Sequence, residues 1–229
     1  EVGKNIDLMV DIHGPPWLNT RDAISLGKRL EEFDLLFYED PVAPENIEAI
    51  SRVSKEVNLP IAAGERHATI WGVRELIERE IIDVVQPDTG RAGGLMQMKK
   101  IAAIAEAHYC TIAPHDGSLG PVAEMAAVHL MATIPNFLIL EHLANDVPQR
   151  YSIMTGQPQI SNGYITVPDT PGLGIDLIEE EINRYPSEGN SNHPDPTYGY
   201  QYISTKIGRA NWLSGKEASQ TEYKAGQVF

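Results

Sequence analysis

The sequence predicts an α/β fold made of about six βα units from a (β/α) barrel. Apolar runs typical of strands buried on both faces alternate with amphipathic helical stretches, and each run ends in a polar residue. The polar ends are Asp11, Glu39, Glu65, Asp88, His115 and Glu141, at successive intervals of 28, 26, 23, 27 and 26 residues. Such a nearly constant interval matches one βα unit each.

The individual elements follow from hydrophobic patterning. Strands are predicted in the segments 6–11, 35–39, 59–65, 82–88, 110–115 and 137–141. Amphipathic helices are predicted between and after them, at 20–33, 45–57, 71–79, 95–108 and 121–134. In the first helix, Ala23, Leu26 and Leu30 share one face with Phe33. Strands and helices therefore alternate, as the crossovers of a parallel sheet require.

A barrel explains the polar strand ends better than a doubly wound open sheet does. In (β/α) barrels, the active site is built from residues at the carboxyl ends of several strands, all facing one centre. Six strands do not close an eight-stranded barrel, and an open sheet leaves two edges with unpaired backbone groups. We therefore expect the C-terminal part of a TIM-like barrel, with the first two strands outside this chain.

The composition divides the chain into three expected regions. Residues 1–148 should form the partial barrel that carries the active-site residues. Residues 149–186 are rich in Gly and Pro, and we expect an excursion that packs off the barrel. Residues 187–229 are rich in Ser, Asn, Pro, Gly and Tyr near their start, and we expect a polar tail.

Charge and cysteine content exclude several classes of function. The 18 Lys and Arg residues stand against 32 Asp and Glu, a net charge of −14, whereas binding to nucleic acid or to anionic membranes needs a basic surface. Cys110 is the single cysteine, so an internal disulfide and a Cys-based zinc cluster are excluded. Since no apolar stretch approaches the ~18 residues of a membrane-spanning helix, we expect a cytoplasmic protein.

Three carboxylates end successive predicted strands: Asp11, Glu39 and Glu65. If they converge, they cannot all stay ionised without a cation, because like charges at short range raise each other's pKa. A divalent cation with oxygen ligands resolves this repulsion, and Mg²⁺ fits best. Each acid alone could be a helix cap or a surface residue, but the same position in three consecutive units favours a metal site.

The next two strand ends suggest an acid–base pair. His115 ends one strand and Asp88 ends its neighbour. A carboxylate beside an imidazole fixes its tautomer and raises its proton affinity, which suits the pair to proton abstraction. His13 lies two residues beyond Asp11, so the strand period of two predicts that both side chains point to the same side. His13 is therefore a candidate second acid–base group, and a histidine that only makes hydrogen bonds within the loop is the alternative.

Further candidates surround these groups. Glu141 could hydrogen-bond a substrate or support other site residues from behind, and a surface or capping role is the alternative; neighbouring His142 is a more ambiguous binding residue. Trp17, in the loop after His13, either covers the pocket or simply packs. The Gly-rich turn 90–94 also admits a phosphate-binding interpretation, although such turns are common without a ligand.

Several motifs together resemble one known family. They are Val10-Asp11-Ile12-His13-Gly14, Phe37-Tyr38-Glu39-Asp40-Pro41, Ala62-Ala63-Gly64-Glu65-Arg66, Gln86-Pro87-Asp88, Ala92-Gly93-Gly94 and Ala113-Pro114-His115. Over residues 6–180, this combination resembles the mandelate racemase-like branch of the enolase superfamily, and most of all the galactonate dehydratases and related sugar-acid dehydratases. The resemblance implies a (β/α)7β barrel preceded by an N-terminal capping domain, and we expect that domain to lie outside this chain.

The resemblance also implies residue roles. Mg²⁺ is the implied cofactor, with Asp11, Glu39 and Glu65 as its implied ligands. The resemblance also implies that His115, paired with Asp88, removes the α-proton. It implies that Glu141 contacts the substrate and that His13 protonates the departing hydroxyl. The implied enzyme is a hydro-lyase. It converts an aldonate or aldarate to a 2-keto-3-deoxy acid through an enediolate. A homo-oligomer and an upstream region that completes the barrel are expected with it.

Two kinds of alternative to a dehydratase remain: a different reaction at the same site, and a barrel without enzymatic activity. The same site could serve a racemase or epimerase, or a cycloisomerase of a sugar acid or lactone; His13 favours dehydration among these. A rival of another class is an inactive barrel fragment or scaffold, which predicts no dependence on Mg²⁺.

Overall fold

Five parallel strands form the central sheet and follow one another across it in chain order. The structure is a computed structural model, and it describes residues 3, 5–14, 16–116, 120–144 and 147–185. The strands are β1 (Met9–Asp11), β2 (Phe37–Glu39), β3 (Ile61–Ala63), β4 (Val84–Val85) and β5 (Thr111–Ile112). Parallel neighbours in chain order need a crossover after every strand, so the predicted partial (β/α) barrel is confirmed.

The sixth predicted strand, 137–141, lies along β5 but forms a single isolated bridge, between Ile112 and Phe137. Its backbone nevertheless continues the pairing. The amide of Leu138 donates to the Ile112 carbonyl at 2.9 Å, and the amide of Glu141 donates to the Pro114 carbonyl at 3.2 Å. These bonds carry the run to Glu141, so its polar end stands beside the end of β5.

Five longer helices connect or follow the strands. They are α1 (Thr20–Leu30), α2 (Ile47–Glu56), α3 (Thr69–Glu78), α4 (Leu95–Ala107) and α5 (Pro121–Met131). Their bounds agree with the predicted helices to within three residues; α1 is extended by a 3₁₀ turn, Glu31–Phe33. The side chains of Asn19 and Asn46 cap α1 and α2 by accepting hydrogen bonds from free amides of the first turn.

Both faces of the sheet are buried, and neighbouring residues of each strand alternate between them. On the helix-covered face, Tyr38, Ile61 and Val85 join the main core. The opposite face carries a second cluster, made of one residue from each of β2, β3 and β4 and one residue just after β5: Phe37, Ala62, Val84 and Ala113. We call this second face the inner face. At the two edges of the sheet the cover is thinner, because Met9 is 44% exposed and Phe137 is 37% exposed.

The contact between α1 and α2 gives a stability prediction. A Cβ added to buried Gly27 would lie 2.8 Å from both γ carbons of Val57. Alanine gains about 1 kcal/mol in helix propensity over glycine, but forced overpacking costs about 1–3 kcal/mol. We expect Gly27→Ala to lower the free energy of unfolding by about 1 kcal/mol, measured by urea denaturation. Exposed Ser25→Ala on the same helix should be neutral, and a Gly27→Ala variant more stable than this control would contradict the packing argument.

The segment 147–185 leaves the sheet and forms small elements of its own. These are α6 (Gln149–Ser152), β6 (Met154–Thr155), β7 (Ile160–Ser161), β8 (Tyr164–Ile165), β9 (Asp176–Leu177) and α7 (Glu179–Ile182). β6 pairs with β9, and β7 pairs with β8, both antiparallel. The predicted tail 187–229 lies outside the described residues, and the boundaries of the three predicted regions stay predictions. Among the described helices, none combines the length and apolar character needed to cross a bilayer.

Candidate active site

The inner face leads directly to the polar strand ends. Because side chains alternate along a strand, Glu39 follows Phe37 on the inner face, and His115 follows Ala113. The sheet pairing places Asp11 opposite Glu39 and Asp88 opposite His115. The apolar cluster of the inner face therefore ends in two adjacent pairs of titratable side chains.

Glu65 does not follow this simple alternation. The partner of Glu39 in β3 is Ala62, so Glu65 lies three residues further along the chain and not in the same row. The expectation that the three acids occupy equivalent positions is wrong at this point. Gly64 is the cause, because its φ of 142° redirects the backbone, and a Cβ there would lie 2.9 Å from the Gln86 amide nitrogen.

His115 and Asp88 form a buried pair. Nδ1 of His115 lies 2.9 Å from Oδ2 of Asp88, whose Oδ1 accepts a hydrogen bond from the Arg91 amide at 2.6 Å. Burial alone would raise the pKa of Asp88, but the hydrogen bonds from His115 and the Arg91 amide lower it. Burial alone would lower the pKa of His115, but Asp88, Glu65 and Glu141 raise it. The carboxylate thus fixes the imidazole and increases its proton affinity.

The other nitrogen of His115 faces Glu65. Nε2 lies 3.1 Å from Glu65 Oε2 and 3.8 Å from Glu141 Oε2. Glu65 is only 2% exposed, and its Oε1 faces Arg66 Nη2 at 3.0 Å and Arg91 Nη1 at 3.5 Å. Neither contact gives Oε1 a hydrogen bond. Glu65 is therefore a buried carboxylate with the imidazole on one side and two guanidinium groups on the other.

Glu39 and Asp11 complete an acidic cluster. Burial raises the pKa of Glu39 to about 7, with further repulsion from Asp11, Glu65 and Glu141, although a hydrogen bond from Gln86 opposes this. Burial also raises the pKa of Asp11, with a smaller contribution from Glu65, and His13 opposes it. The carboxylates destabilise one another's ionised forms, and a nearby cation would relieve this repulsion.

The cluster has the chemistry of a metal site without its assembled geometry. Within the described ranges, no three His, Cys, Asp or Glu side chains form a group that could hold a metal ion. The ligand set of Asp11, Glu39 and Glu65 stays a prediction. Its donors are all carboxylate oxygens, which suit a hard divalent cation. The offset of Glu65 from Glu39 and its contact with His115 explain why the three are not gathered.

His13 lies beside Asp11, but not for the reason the sequence suggested. β1 ends at Asp11, and His13 has a φ of 42°, so the strand period of two does not extend to it. Instead, Asp11 holds His13 directly: its Oδ1 accepts from the His13 amide at 2.8 Å, and its Oδ2 lies 2.9 Å from Nδ1. The His13 side chain is 60% exposed, so its imidazole is open to solvent.

Trp17 is buried rather than open to a pocket. The guanidinium of Arg66 lies 5.2 Å from its ring centroid, within the range of a cation–π contact. A Cβ on Gly14 would overlap the indole ring, so glycine at this position lets the ring pack against the backbone. The packing alternative for Trp17 is therefore seen directly, and its role in substrate binding stays a prediction.

Glu141 and His142 are each held by residues that the sequence did not single out. The Asp116 amide donates to Glu141 Oε2 at 2.8 Å, and His142 Nδ1 lies 2.6 Å from Glu124 Oε1. Asp116 and Glu124 are fully buried. A carboxylate within the apolar sequence of α5 was the one signal that could have revealed Glu124.

Two curated relatives resemble this chain over most of its length. It is 34% identical over 191 residues to a D-xylonate dehydratase of Haloferax volcanii, which covers 83% of this chain and 45% of the relative. It is 34% identical over 198 residues to a D-gluconate/D-galactonate dehydratase of Picrophilus torridus, covering 85% of this chain and 50% of the relative. The chain thus spans about half the length of these relatives.

A solved structure agrees with the sequence comparison. An enolase from Pantoea ananatis with bound D-gluconate and Mg superposes with a TM-score of 0.75 at 34% identity, covering 82% of this chain and 45% of that one. Residues 1–181 match the family described as Enolase C-terminal domain-like. The predicted resemblance to the enolase superfamily and its sugar-acid dehydratases is confirmed, and the chain belongs to the Enolase C-terminal domain-like family.

Proposed function

We propose that this chain carries the catalytic centre of a Mg²⁺-dependent sugar-acid dehydratase. The observation that carries the proposal is the buried His115–Asp88 pair, whose free nitrogen faces the carboxylate cluster at 3.1 Å from Glu65. The names of the relatives, which specify xylonate, gluconate and galactonate dehydration, support an aldonate substrate. Because the chain spans about half of those relatives, the activity is proposed for the complete protein.

His115 is proposed as the base. Its Nε2 takes the proton α to the substrate carboxylate, and the C–H electron pair enters an enediolate. Asp88 holds the Nδ1 hydrogen, so that Nε2 is the basic nitrogen and the imidazolium formed is stabilised. Glu141, whose Oε2 lies 3.8 Å from Nε2, is proposed to contact the substrate beside the reacting carbon.

Asp11, Glu39 and Glu65 are proposed to hold the cation. A bound Mg²⁺ would stabilise the negative charge that develops on the substrate carboxylate, the arrangement established for enolase-superfamily sites. The charge of the cation would also stabilise the ionised forms of the carboxylates, because it offsets their mutual repulsion. Rotation of the Glu65 carboxylate away from Nε2 would also free the base for the substrate proton.

His13 is proposed as the acid. Its imidazolium donates a proton to the β-hydroxyl as the C–O bond breaks, so water leaves and the enediolate electron pair forms the new double bond. The enol product tautomerises to a 2-keto-3-deoxy acid. The contact between Asp11 and Nδ1 places the imidazole at the acidic cluster, and its exposure lets it regain a proton from solvent.

The function is tested by incubating the complete protein with a panel of aldonates and aldarates in D2O with Mg²⁺. A dehydratase forms a 2-keto-3-deoxy acid and loses activity with a chelator. A racemase or epimerase instead gives α-deuterated epimer without the keto acid. A scaffold gives neither product, and either of these last two results overturns the dehydratase proposal.

We expect His13→Asn to separate the two halves of the reaction. Exchange of the α-proton with D2O should continue, while dehydration slows by about 10²–10⁴-fold, the usual contribution of a general acid. Both rates are followed by proton NMR on the same sample. His108→Asn, at the end of α4, is the matched control. A variant in which exchange and dehydration fall by the same large factor would remove the separate role of His13.

A further inference from the structure

A buried ionic network lies beside the site and has no role in the mechanism above. Nη2 of Arg150 lies 3.1 Å from Asp116 Oδ2 and 2.9 Å from Glu124 Oε2. All three side chains are buried. They come from three places in the chain: the residue after His115, the helix α5, and α6 in the segment that leaves the sheet.

The two acids of this network, Asp116 and Glu124, also contact Glu141 and His142, which lie at the end of the sixth predicted strand. The backbone amide of Asp116 binds the carboxylate of Glu141, and the carboxylate of Glu124 binds the imidazole of His142. Both acids thus connect one guanidinium to two neighbouring candidate substrate contacts. Glu141 in turn lies 3.8 Å from the Nε2 of His115.

We infer that Arg150 is a positioning residue, which holds Glu141 and His142 in place at the site through Asp116 and Glu124. The inference deepens the proposed function and rests on it for its kinetic consequence. It also assigns a role to α6: this short helix ties the segment 147–185 to the catalytic end of the sheet.

Electrostatics explains why a single cation matters here. Burial and then the charge of Glu124 raise the pKa of Asp116 to about 8, while Arg150 opposes both effects. Removing one partner from a buried ionic group leaves an uncompensated charge, which is strongly destabilising. Without Arg150, the carboxyl groups of Asp116 and Glu124 lose the guanidinium that both contact, so the backbone of Asp116 and the side chain of Glu124 are no longer held in place. Glu141 and His142 would then lose their fixed partners.

The test separates this positioning role from simple stabilisation. In the complete protein, Arg150→Met removes the cation and keeps a side chain of similar length. Arg150→Met/Asp116→Asn also replaces the buried carboxyl group of Asp116 by a neutral amide, so no acid at position 116 is left without its cation, and the backbone amide of residue 116 and Glu124 stay intact. Arg150→Lys keeps a single donor nitrogen able to replace Nη2. Arg184→Met, an exposed arginine after α7, is the control.

Two readouts are compared with thermal unfolding: kcat on the sugar acid that the wild type dehydrates, and the imidazole ¹⁵N shifts of His142. His129, which contacts the Leu173 carbonyl, is the internal reference. We expect the double variant to unfold near the wild-type temperature while kcat falls about 10- to 100-fold. The His142 shifts should move and those of His129 should not. Arg150→Lys should recover most of kcat.

Two outcomes would overturn the positioning role of Arg150. If the double variant recovers both stability and kcat, or if its His142 shifts equal those of the wild type, Arg150 acts only on stability and the inference is overturned. If the wild type dehydrates no sugar acid, the proposed function fails separately. The His142 shifts then decide the inference alone, since they need no turnover.

Discussion

Glu65→Gln is expected to abolish Mg²⁺ binding at the site and to lower kcat/KM by roughly 10³-fold, the equivalent of about 4 kcal/mol of transition-state stabilisation. Glu65 is the most buried of the three proposed ligands, and its Oε1 has no hydrogen bond. An amide in its place removes the negative charge that would face the proposed cation. Calorimetric titration of the complete protein with Mg²⁺ measures the binding directly, without turnover.

The matched control for this variant is Glu56→Gln. Glu56 is exposed and pairs with Lys28 on the surface, so its charge is changed far from the acidic cluster. Arg66 and Arg91 lose a partner when Glu65 is neutralised, so the unfolding midpoint is recorded with each titration. A folded Glu65→Gln protein that binds Mg²⁺ with wild-type affinity would remove Glu65 from the ligand set.

The second large effect is expected from His115→Asn. The variant should lose α-proton exchange and dehydration together, by about 10²–10⁴-fold, because no other group in the described site faces the same point with a basic nitrogen. Mg²⁺ affinity should persist, since the three carboxylates are untouched. This pattern differs from that of Glu65→Gln, where binding itself fails, and from that of His13→Asn, where exchange survives.

His115→Asn is compared with His129→Asn, whose imidazole contacts a backbone carbonyl away from the site. The rates of deuterium incorporation and of keto-acid formation are measured by NMR. Retention of α-proton exchange in the His115 variant would assign the base to another residue.

The order and type of the main elements could be predicted because two simple regularities dominate them. The strand Ile61–Ala63 is apolar throughout because both faces of the sheet are buried, and the helices α1 and α2 show one apolar face each. The sixth predicted strand, 137–141, was harder to predict correctly. Its apolar composition fits a strand, but its pairing with β5 is limited to a bridge at Phe137 and a few amide hydrogen bonds. Pairing at the edge of a sheet depends on neighbours that a local pattern does not contain.

The site was predictable where alternation along a strand is undisturbed. Glu39 and His115 lie on the inner face two residues after an apolar member of the inner cluster, and their positions follow from the period of two. Glu65 directly follows Gly64, which has a positive φ, and His13 has a positive φ of its own. No strand rule extends across such a turn, so their placement needed coordinates.

The network around Arg150 was not predictable from the sequence. Its members lie 34 and 26 residues apart along the chain from Arg150, and they follow no repeat. An arginine in a Gly- and Pro-rich segment is ordinarily read as a surface residue. Only the fold of α6 against α5 shows that its charge is buried between two acids.

The register of the sheet has a geometric consequence for all the polar strand ends. The row that runs straight across from Asp11 passes through Glu39, Ala62, Val84 and Thr111. Asp88 and His115 each lie four residues beyond that row, on their own strands. A barrel of eight tilted strands with a shear of about eight gains about one residue of height per strand. In such a barrel, residues that lie further along the later strands, as Asp88 and His115 do, are brought toward the level of Asp11 and Glu39 around the barrel axis.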